Sequence, residues 1–386
     1  MRKRDIHVLY CFGGNKNFGD DYILDCWIRF ASVAAPDKKI VVNSPVGWML
    51  PFYADNPNVV FNNFLGGIVS AAIAPLKKDG RELGIVDYIA AGRAAAETIM
   101  RDHGVWRDFL GRVSGFQICG GGYLNNLFKG AYATASAMAH LARALGVPAY
   151  ATGLGLLPLD EGIPELDDFF AMFEIVEVRD KESFAYLEQN APSARSRFGL
   201  DDTFLMDVRA AQQPRRMPAL YLNIQSDMNL RPLHKDILAR LEPVVKRDRD
   251  SFSEIRYLCF FSPSDDVFLA ELRKLYPCVS VYPSDLLFQQ GLPFAPGDVC
   301  ISSRFHCHLL ASRSGAKGLY ITGKKGYYDI KHASVTNVGS RWKSFSDDDL
   351  SAGWWDALEA PAVDESTNRA TKQALGAAIL AGTRVS

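Results

Sequence analysis

Residue types able to bind and protonate an anion sit together in one short run, Cys300-Ile301-Ser302-Ser303-Arg304-Phe305-His306-Cys307-His308. The run passes from an apolar, strand-like stretch into a helix. With Ser303 as N-cap, Arg304 and His306 fall in the helix's first turn. Unbonded N–H groups and the helix dipole already draw anions to that position. An arginine and a histidine there oppose the dipole unless a negative ligand arrives to be held. The three possible metal ligands, His306, Cys307 and His308, cannot converge on one ion, because consecutive helical side chains diverge by about 100°. No metal is expected, and His308 reads as structural.

A second arginine stands in Val178-Arg179-Asp180-Lys181-Glu182-Ser183, where a strand ends and a helix opens. Asp180 is a natural N-cap, which puts Arg179 at the carboxyl edge of the strand. Taken alone, that arginine is explained by a local carboxylate partner. Two glycine-bearing loops follow other strands. In Gly13-Gly14-Asn15-Lys16-Asn17-Phe18-Gly19-Asp20-Asp21 the glycines permit close backbone approach to a ligand, and Asp20 or Asp21 either caps the helix or contacts that ligand. The loop is not a G-x-G-x-x-G fingerprint, so a dinucleotide is not indicated. Gly120-Gly121-Gly122-Tyr123-Leu124 repeats the arrangement, and three glycines in a row are costly in chain entropy for a plain turn.

The elements that must position these residues alternate between short β-rich runs and longer helical ones. Strands are expected at 6–12, 39–43, 115–119, 148–152 and 175–178, with helices near 21–34, 131–145 and 180–188. After 210–218, which loses hydrophobic period and carries Pro214 and Pro218, the alternation restarts. Strands are then expected at 219–224, 255–261, 279–282, 298–301 and 318–321. Helices fall near 232–245, 265–275 and from 304, and the last spans 365–381. Such alternation gives a mainly parallel sheet covered on both faces. The expected fold is α/β, with two Rossmann-like domains facing a cleft. Their spans are 1–209 and 219–345, with a helical segment 346–386 packing back on the first. Ligands in such sheets bind beyond the carboxyl ends of strands.

Composition narrows the classes. Forty-three Lys and Arg against 44 Asp and Glu in 386 residues leave a formal charge of -1, which argues against a general nucleic-acid binder. Seven cysteines, odd in number and without a C-x-x-C pair, suggest neither a disulfide framework nor a zinc knuckle, and favour a reducing, cytoplasmic setting. No signal peptide is read at the N-terminus. The apolar stretch 64–76 (FLGGIVSAAIAPL) is too short to span a bilayer. With 45–53 (PVGWMLPFY) it reads as a buried helix and its loops, contact with a membrane surface being the alternative.

Together these loops resemble the polysaccharide pyruvyl transferase family. The matching elements are Asn17-Phe18-Gly19-Asp20-Asp21, Gly120-Gly121-Gly122-Tyr123-Leu124, Gly153-Leu154-Gly155 before Pro158, Val178-Arg179-Asp180 with Ser183, Asp201-Asp202, and Ser303-Arg304-Phe305-His306 with Ala311. They occur in the family's order over residues 10–335. One departure is 152–157 (TGLGLL), where the family more often has a glutamine before the glycines. The resemblance implies a fold similar to B-type glycosyltransferases. It also implies phosphoenolpyruvate as donor, no cofactor, and a saccharide acceptor, free or lipid-linked, that gains a pyruvate ketal. A lipid-linked acceptor would bring the chain to the inner face of the cell membrane.

By the same resemblance Arg179, Arg304 and His306 are the donor-site residues. Asn17, Gly19, Asp20, Asp21, Gly120, Gly121, Gly122, Gly153 and Ser303 are the further substrate-binding candidates, the first domain serving the acceptor and the second the donor. Guanidinium forks suit the carboxylate and phosphate of phosphoenolpyruvate, and His306 is the expected general acid. The alternatives are a glycosyltransferase using a nucleotide-sugar, which the same architecture serves, and a non-catalytic glycan- or anion-binding protein of a polysaccharide assembly system.

Overall fold

The runs Ile6–Tyr10 (β1), Lys39–Val42 (β2) and Val113–Cys119 (β4) are rich in β-branched and aromatic residues and are buried almost end to end. That pattern belongs to strands covered on both faces. A computed structural model of the chain, describing residues 3–44, 47–78, 80–210 and 215–383, places them in a seven-stranded, all-parallel sheet. The other strands of this sheet are β3 (Val59–Phe61), β5 (Ala149–Leu154), β6 (Ile175–Val178) and β7 (Ser196–Phe198), in the order β3-β2-β1-β4-β5-β6-β7. A second all-parallel sheet has the order β10-β9-β8-β11-β12-β13. It is built from β8 (Leu220–Asn223), β9 (Ile255–Leu258), β10 (Ser280–Tyr282), β11 (Val299–Ser302), β12 (Lys317–Tyr320) and β13 (Lys343–Ser344).

Helices fill the crossovers. In the first half they are α1 (Phe18–Ala34), α2 (Phe64–Ile73), α3 (Ile85–Arg101), α4 (His103–Leu110), α5 (Ala131–Leu145), α6 (Leu166–Ala171) and α7 (Lys181–Asn190). In the second half they are α8 (His234–Arg247), α9 (Ser264–Leu275), α10 (Ser284–Gln290), α11 (Phe305–Arg313) and α12 (Tyr328–Asn337), and α13 (Glu365–Ala381) closes the chain. The chain forms two compact units. One holds Met1–Asn15, Asp20–Met206 and Thr367–Ser386; the other holds Lys16–Gly19 and Asp207–Ser366. The expected boundary at 346 therefore differs from the observed division, which comes at 366/367. Part of the expected linker 210–218, residues 211–214, lies outside the described residues.

Each sheet reverses its winding once, between β1 and β4 and between β8 and β11. At such a switch point the crossovers leave on opposite faces and open a crevice beyond the strand ends. The loop after β1, Gly120–Gly122 after β4, Gln225 after β8 and Ser303-Arg304 after β11 all fall at these two places.

A buried charged cluster ties α13 into the first unit. Lys372 Nζ meets the carboxylates of Glu177 and Asp202 (2.6 Å to Asp202 Oδ1) and donates to the Leu200 carbonyl oxygen at 2.8 Å. From Asp202 the polar contacts run across the sheet: Thr152 Oγ1 donates to Asp202 Oδ2 (2.9 Å), Gln117 Nε2 to Thr152 Oγ1 (3.0 Å), and Gln117 Oε1 meets His7 Nε2 (2.9 Å). Burial works against the Lys372 charge, but the two carboxylates outweigh it and hold its pKa above the ordinary value. Gly153, at φ 60°, passes so close that a Cβ there would lie 2.9 Å from the Asp202 carboxyl.

Helix α2 buries Phe64, Leu65 and Val69 and leaves Gly67, Ser70 and Ala71 exposed, so the apolar stretch is a half-buried surface helix. Among the described residues no helix is long and apolar enough to cross a membrane.

Candidate functional site

In the second unit the strand register sets the site. Asn223 and Ser302 are paired residues at the ends of β8 and β11, and Ser302 Oγ donates to Asn223 Oδ1 at 2.9 Å. The other end of the Asn223 amide donates to the Leu258 carbonyl oxygen (2.8 Å) and to Asp265 Oδ2 (3.1 Å). Asp265 opens α9, where its carboxylate also accepts the backbone N–H groups of Phe260 (2.8 Å) and Phe261 (3.0 Å).

Arg304 completes this cage. Its Nε donates to Asp265 Oδ1 (2.8 Å) and Oδ2 (3.1 Å), and its Nη2 donates to Oδ1 (2.5 Å). Five donors and no acceptor surround Asp265, which favours the carboxylate form. Burial alone pushes this carboxyl up, with Arg304 and the two backbone N–H groups pulling against it. Burial likewise works against the Arg304 charge, but Asp265 outweighs it and keeps the guanidinium pKa above its ordinary value. The guanidinium is thus charged and fixed by one edge, and its carbon lies 5.5 Å from the centre of the Phe261 ring.

The expected N-cap is displaced by one residue. Helix α11 starts at Phe305, with Arg304 in the cap position. Ser303 does not cap; its Oγ accepts the Gln225 backbone N–H at 2.9 Å, while Ser302 Oγ accepts the Arg304 N–H at 3.0 Å. Two serines with different work share the turn, and a preference for serine at N-caps cannot tell them apart. His306 still lies in the first turn, its ring edge-on to Phe305 at 4.8 Å.

Asn17 and Gly19 belong to this unit. Asn17 bridges Phe261, the Phe18 N–H donates to the Phe260 carbonyl oxygen at 2.8 Å, and the Phe18 ring packs on Phe260 at 4.6 Å. This seats Gly19 against His306: a Cβ on Gly19 would lie 2.0 Å from the imidazole Nδ1. The reading that grouped these two residues with the first domain gives way to contacts with Phe260, Phe261 and His306.

In the first unit Asp21 does not cap α1. It sits inside the helix, fully buried, with Oδ1 accepting the Gly14 backbone N–H. Burial, helped by Asp20, pushes its pKa up to about 8 against the opposing Gly14 and Trp48. Gly120 (φ 53°) and Gly121 (φ 85°) take conformations that side chains rarely adopt, and a Cβ would strike Ile23 at 2.5 Å or the Tyr123 ring at 2.6 Å. Packing alone therefore accounts for those two glycines. Asp20, half-buried, has a carboxylate oxygen 3.4 Å from where a Gly121 Cβ would be. Gly122 accepts the Asn125 side-chain amide through its carbonyl oxygen at 2.9 Å. Arg179 is 5% exposed, and its Nη1 donates to Asp201 Oδ2 at 2.5 Å, while Asp180 caps α7 by accepting the Ser183 N–H.

His308 is structural. It meets His332 (Nδ1 to Nδ1, 3.0 Å) and Ser340 Oγ (2.7 Å) and stacks on Trp342 at 4.5 Å. Among the described residues no group of three or more His, Cys, Asp or Glu is placed to hold a metal ion. Reading the sequence alone missed Asp265, Asn223 and Gln225. An acidic pair, Asp265-Asp266, at a strand-to-helix turn was the available signal for the first.

Two doubly wound parallel sheets with these crossovers make a fold of the B-type glycosyltransferase kind, and solved structures share it. A protein assigned as a UDP-N-acetylglucosamine 2-epimerase from Listeria monocytogenes is similar with a TM-score of 0.52 at 9% identity, over 88% of this chain and 83% of that one. A second UDP-N-acetylglucosamine 2-epimerase is similar with a TM-score of 0.51 at 10% identity, over 96% and 94%. At such identity the likeness concerns fold alone. Among curated proteins no match was found. The profile of the polysaccharide pyruvyl transferase family matches residues 17–324, and the chain belongs to that family.

Proposed function

We propose that the chain transfers pyruvate from phosphoenolpyruvate to two hydroxyl groups of a polysaccharide or its lipid-linked precursor, forming a pyruvate ketal. Family membership supports transfer to a saccharide. The observation that carries the donor side is the pairing in one short turn of a charged guanidinium, fixed by Asp265, with an imidazole seated against Gly19.

In this reading a proton goes to the methylene carbon of phosphoenolpyruvate, turning CH2 into CH3 and leaving an oxocarbenium-like centre. One sugar hydroxyl adds to that carbon and loses its proton. The second hydroxyl displaces the phosphate, and the two liberated protons balance those taken up by the methyl group and by hydrogen phosphate. His306 is the proposed acid. Arg304, whose Nε edge is spent on Asp265, offers its remaining N–H groups to the donor's negative charge, which grows on the departing phosphate. Arg179 is proposed as a second donor-binding residue, and Asp20 with Gly120–Gly122 as acceptor contacts. Reaction on a lipid-linked acceptor would take place at the cytoplasmic face of the membrane.

The test is incubation with phosphoenolpyruvate and an oligosaccharide panel, scored for phosphate release and for a mass gain on the glycan. Release that requires the glycan supports the reading. Turnover of a nucleotide-sugar in place of phosphoenolpyruvate would replace it with glycosyl transfer.

A further inference from the structure

Beyond β8 the chain continues as Ile224-Gln225-Ser226-Asp227, and three of these residues carry buried polar atoms without a hydrogen-bond partner among the described residues: Gln225 Nε2, Ser226 Oγ and Asp227 Oδ1. Gln225 is 0% exposed. Its backbone N–H is taken by Ser303 Oγ (2.9 Å), its carbonyl oxygen lies 3.3 Å from His234 Nε2, and its Oε1 accepts from the Tyr328 hydroxyl at 2.9 Å. These contacts hold the carboxamide so that Nε2, with two N–H donors, is buried and has no acceptor among the described residues. The Ser226 hydroxyl, next in the chain, is buried and equally without a partner, although its own backbone N–H is satisfied by Ser264 Oγ at 3.1 Å.

Each orphaned buried donor carries an uncompensated desolvation cost, and apolar residues of similar size would avoid that cost. Two in succession, beside a charged arginine, indicate an acceptor that arrives from outside. The surroundings point to its sign. Arg304 Nη2 lies 4.0 Å from Asp227 Oδ1, so the segment adjoins the guanidinium. The loop entering α12, residues 322–326, packs on the same segment: a Cβ on Gly323 would lie 2.7 Å from the Met228 carbonyl oxygen. That loop carries Lys324 and Lys325, and neither has a carboxylate partner among the described residues. Asp227 is the one acidic group in the segment; its buried Oδ1 accepts no hydrogen bond among the described residues, so the arriving group must also bring a donor, as a protonated phosphate oxygen does.

We propose that the Gln225 carboxamide and the Ser226 hydroxyl are binding donors for the phosphate group of the donor substrate, next to Arg304. The inference rests on phosphoenolpyruvate being that substrate and goes beyond it by assigning the phosphate contacts to residues outside the R-x-H turn. Gln225 supplies neutral donors that fit phosphate oxygens, and Tyr328 orients them by occupying the amide oxygen.

Calorimetric titration with phosphoenolpyruvate and, separately, with inorganic phosphate tests this on wild type, Gln225→Glu and Ser226→Ala. Glutamate keeps the oxygen that accepts from Tyr328 and replaces the NH2 donors by a negative oxygen. Wild type is expected to bind both ligands. Gln225→Glu should weaken both at least tenfold at pH 8, and Ser226→Ala about threefold or more. Steady-state kinetics should show the change in KM for phosphoenolpyruvate with kcat altered far less, which lost packing would not produce. Ser226→Ala removes an orphaned hydroxyl and should melt no lower than wild type, so it carries the test even where the buried glutamate prevents folding. If folded variants bind both ligands within twofold of wild type, the assignment is overturned while the donor reading stands. If wild type binds neither ligand, the donor reading falls and this assignment with it.

Discussion

Gly19 and His306 are fitted to one another: the glycine's missing side chain is the space in which the imidazole lies, since a Cβ would approach Nδ1 to 2.0 Å. They are distant in sequence, and the loop carrying Gly19 is held by backbone contacts to Phe260 and Phe261. Glycine at position 19 therefore sets the rotamer and position of the proposed acid.

Gly19→Ala should displace the imidazole and lower kcat by about 10²- to 10⁴-fold, the usual share of a general acid. His306→Ala should fall in the same range, and the double variant should be little worse than either, because both remove the same function. Kinetics of the three variants decide it. Additive losses would show that Gly19 acts through something other than His306.

Arg304→Lys keeps a positive charge but offers a point donor where Asp265 and a ligand each need an edge. The KM for phosphoenolpyruvate should rise at least tenfold. Asp265→Asn should raise it too, by freeing the guanidinium from its fixed orientation. Breaking this buried pair should also cost about 3–5 kcal/mol of stability, so melting curves must accompany the kinetics. An unchanged KM in folded Arg304→Lys would remove Arg304 from the donor site.

Lys372→Met would leave Glu177 and Asp202 buried together without a cation. Uncompensated buried charge costs about 3–5 kcal/mol, and α13 would lose its polar anchor in the first unit. Denaturant titration should show that drop in unfolding free energy, whereas a loss below about 1 kcal/mol would mean the cluster relaxes or takes up a proton.

Acid should destabilise the protein through its buried histidines. Burial lowers His7 to about 4 and His332 to about 3, and burial with neighbouring His332 holds His308 well below its ordinary value. Each stays neutral in the fold while its unfolded counterpart, near 6.5, takes up a proton. Their contribution is whole above pH 6.5 and is lost as pH falls from there through 4 and 3, by up to about 1.4 kcal/mol per pH unit for each group. Melting temperature measured from pH 7.5 to 4.5 should fall steeply below pH 6.5, and a flat profile would contradict neutral burial.

Much of the architecture was legible because parallel strands covered on both faces appear as short apolar runs. Helices α5 and α13 coincide with the spans expected from sequence. The strands not expected, β3, β7 and β13, are two or three residues long and lie at sheet edges, too short for a periodic signal. Helix α3 escaped for another reason. Its buried stripe is largely Ala91, Gly92, Ala95 and Ala96, and it packs so tightly on α5 that a Cβ at Gly92 would lie 2.2 Å from the Ala133 carbonyl oxygen. Small residues make close helix contacts with little hydrophobic contrast.

The chemistry divides along the same line. Arg304 and His306 are two residues apart and could be read as a pair. Asp265, which fixes Arg304, and Gly19, which seats His306, are set beside them only by the strand order β9-β8-β11 and by a loop joined to the Phe260-Phe261 turn. No local pattern carries that information.

The role of His306 is decided by phosphate release from phosphoenolpyruvate in the presence of a glycan acceptor, compared between wild type and His306→Ala. Wild type should release phosphate only with glycan present and give a glycan product heavier by one pyruvyl ketal, and the variant should be slower by about 10²- to 10⁴-fold. Release by wild type that the His306 substitution leaves within a few-fold would contradict that role.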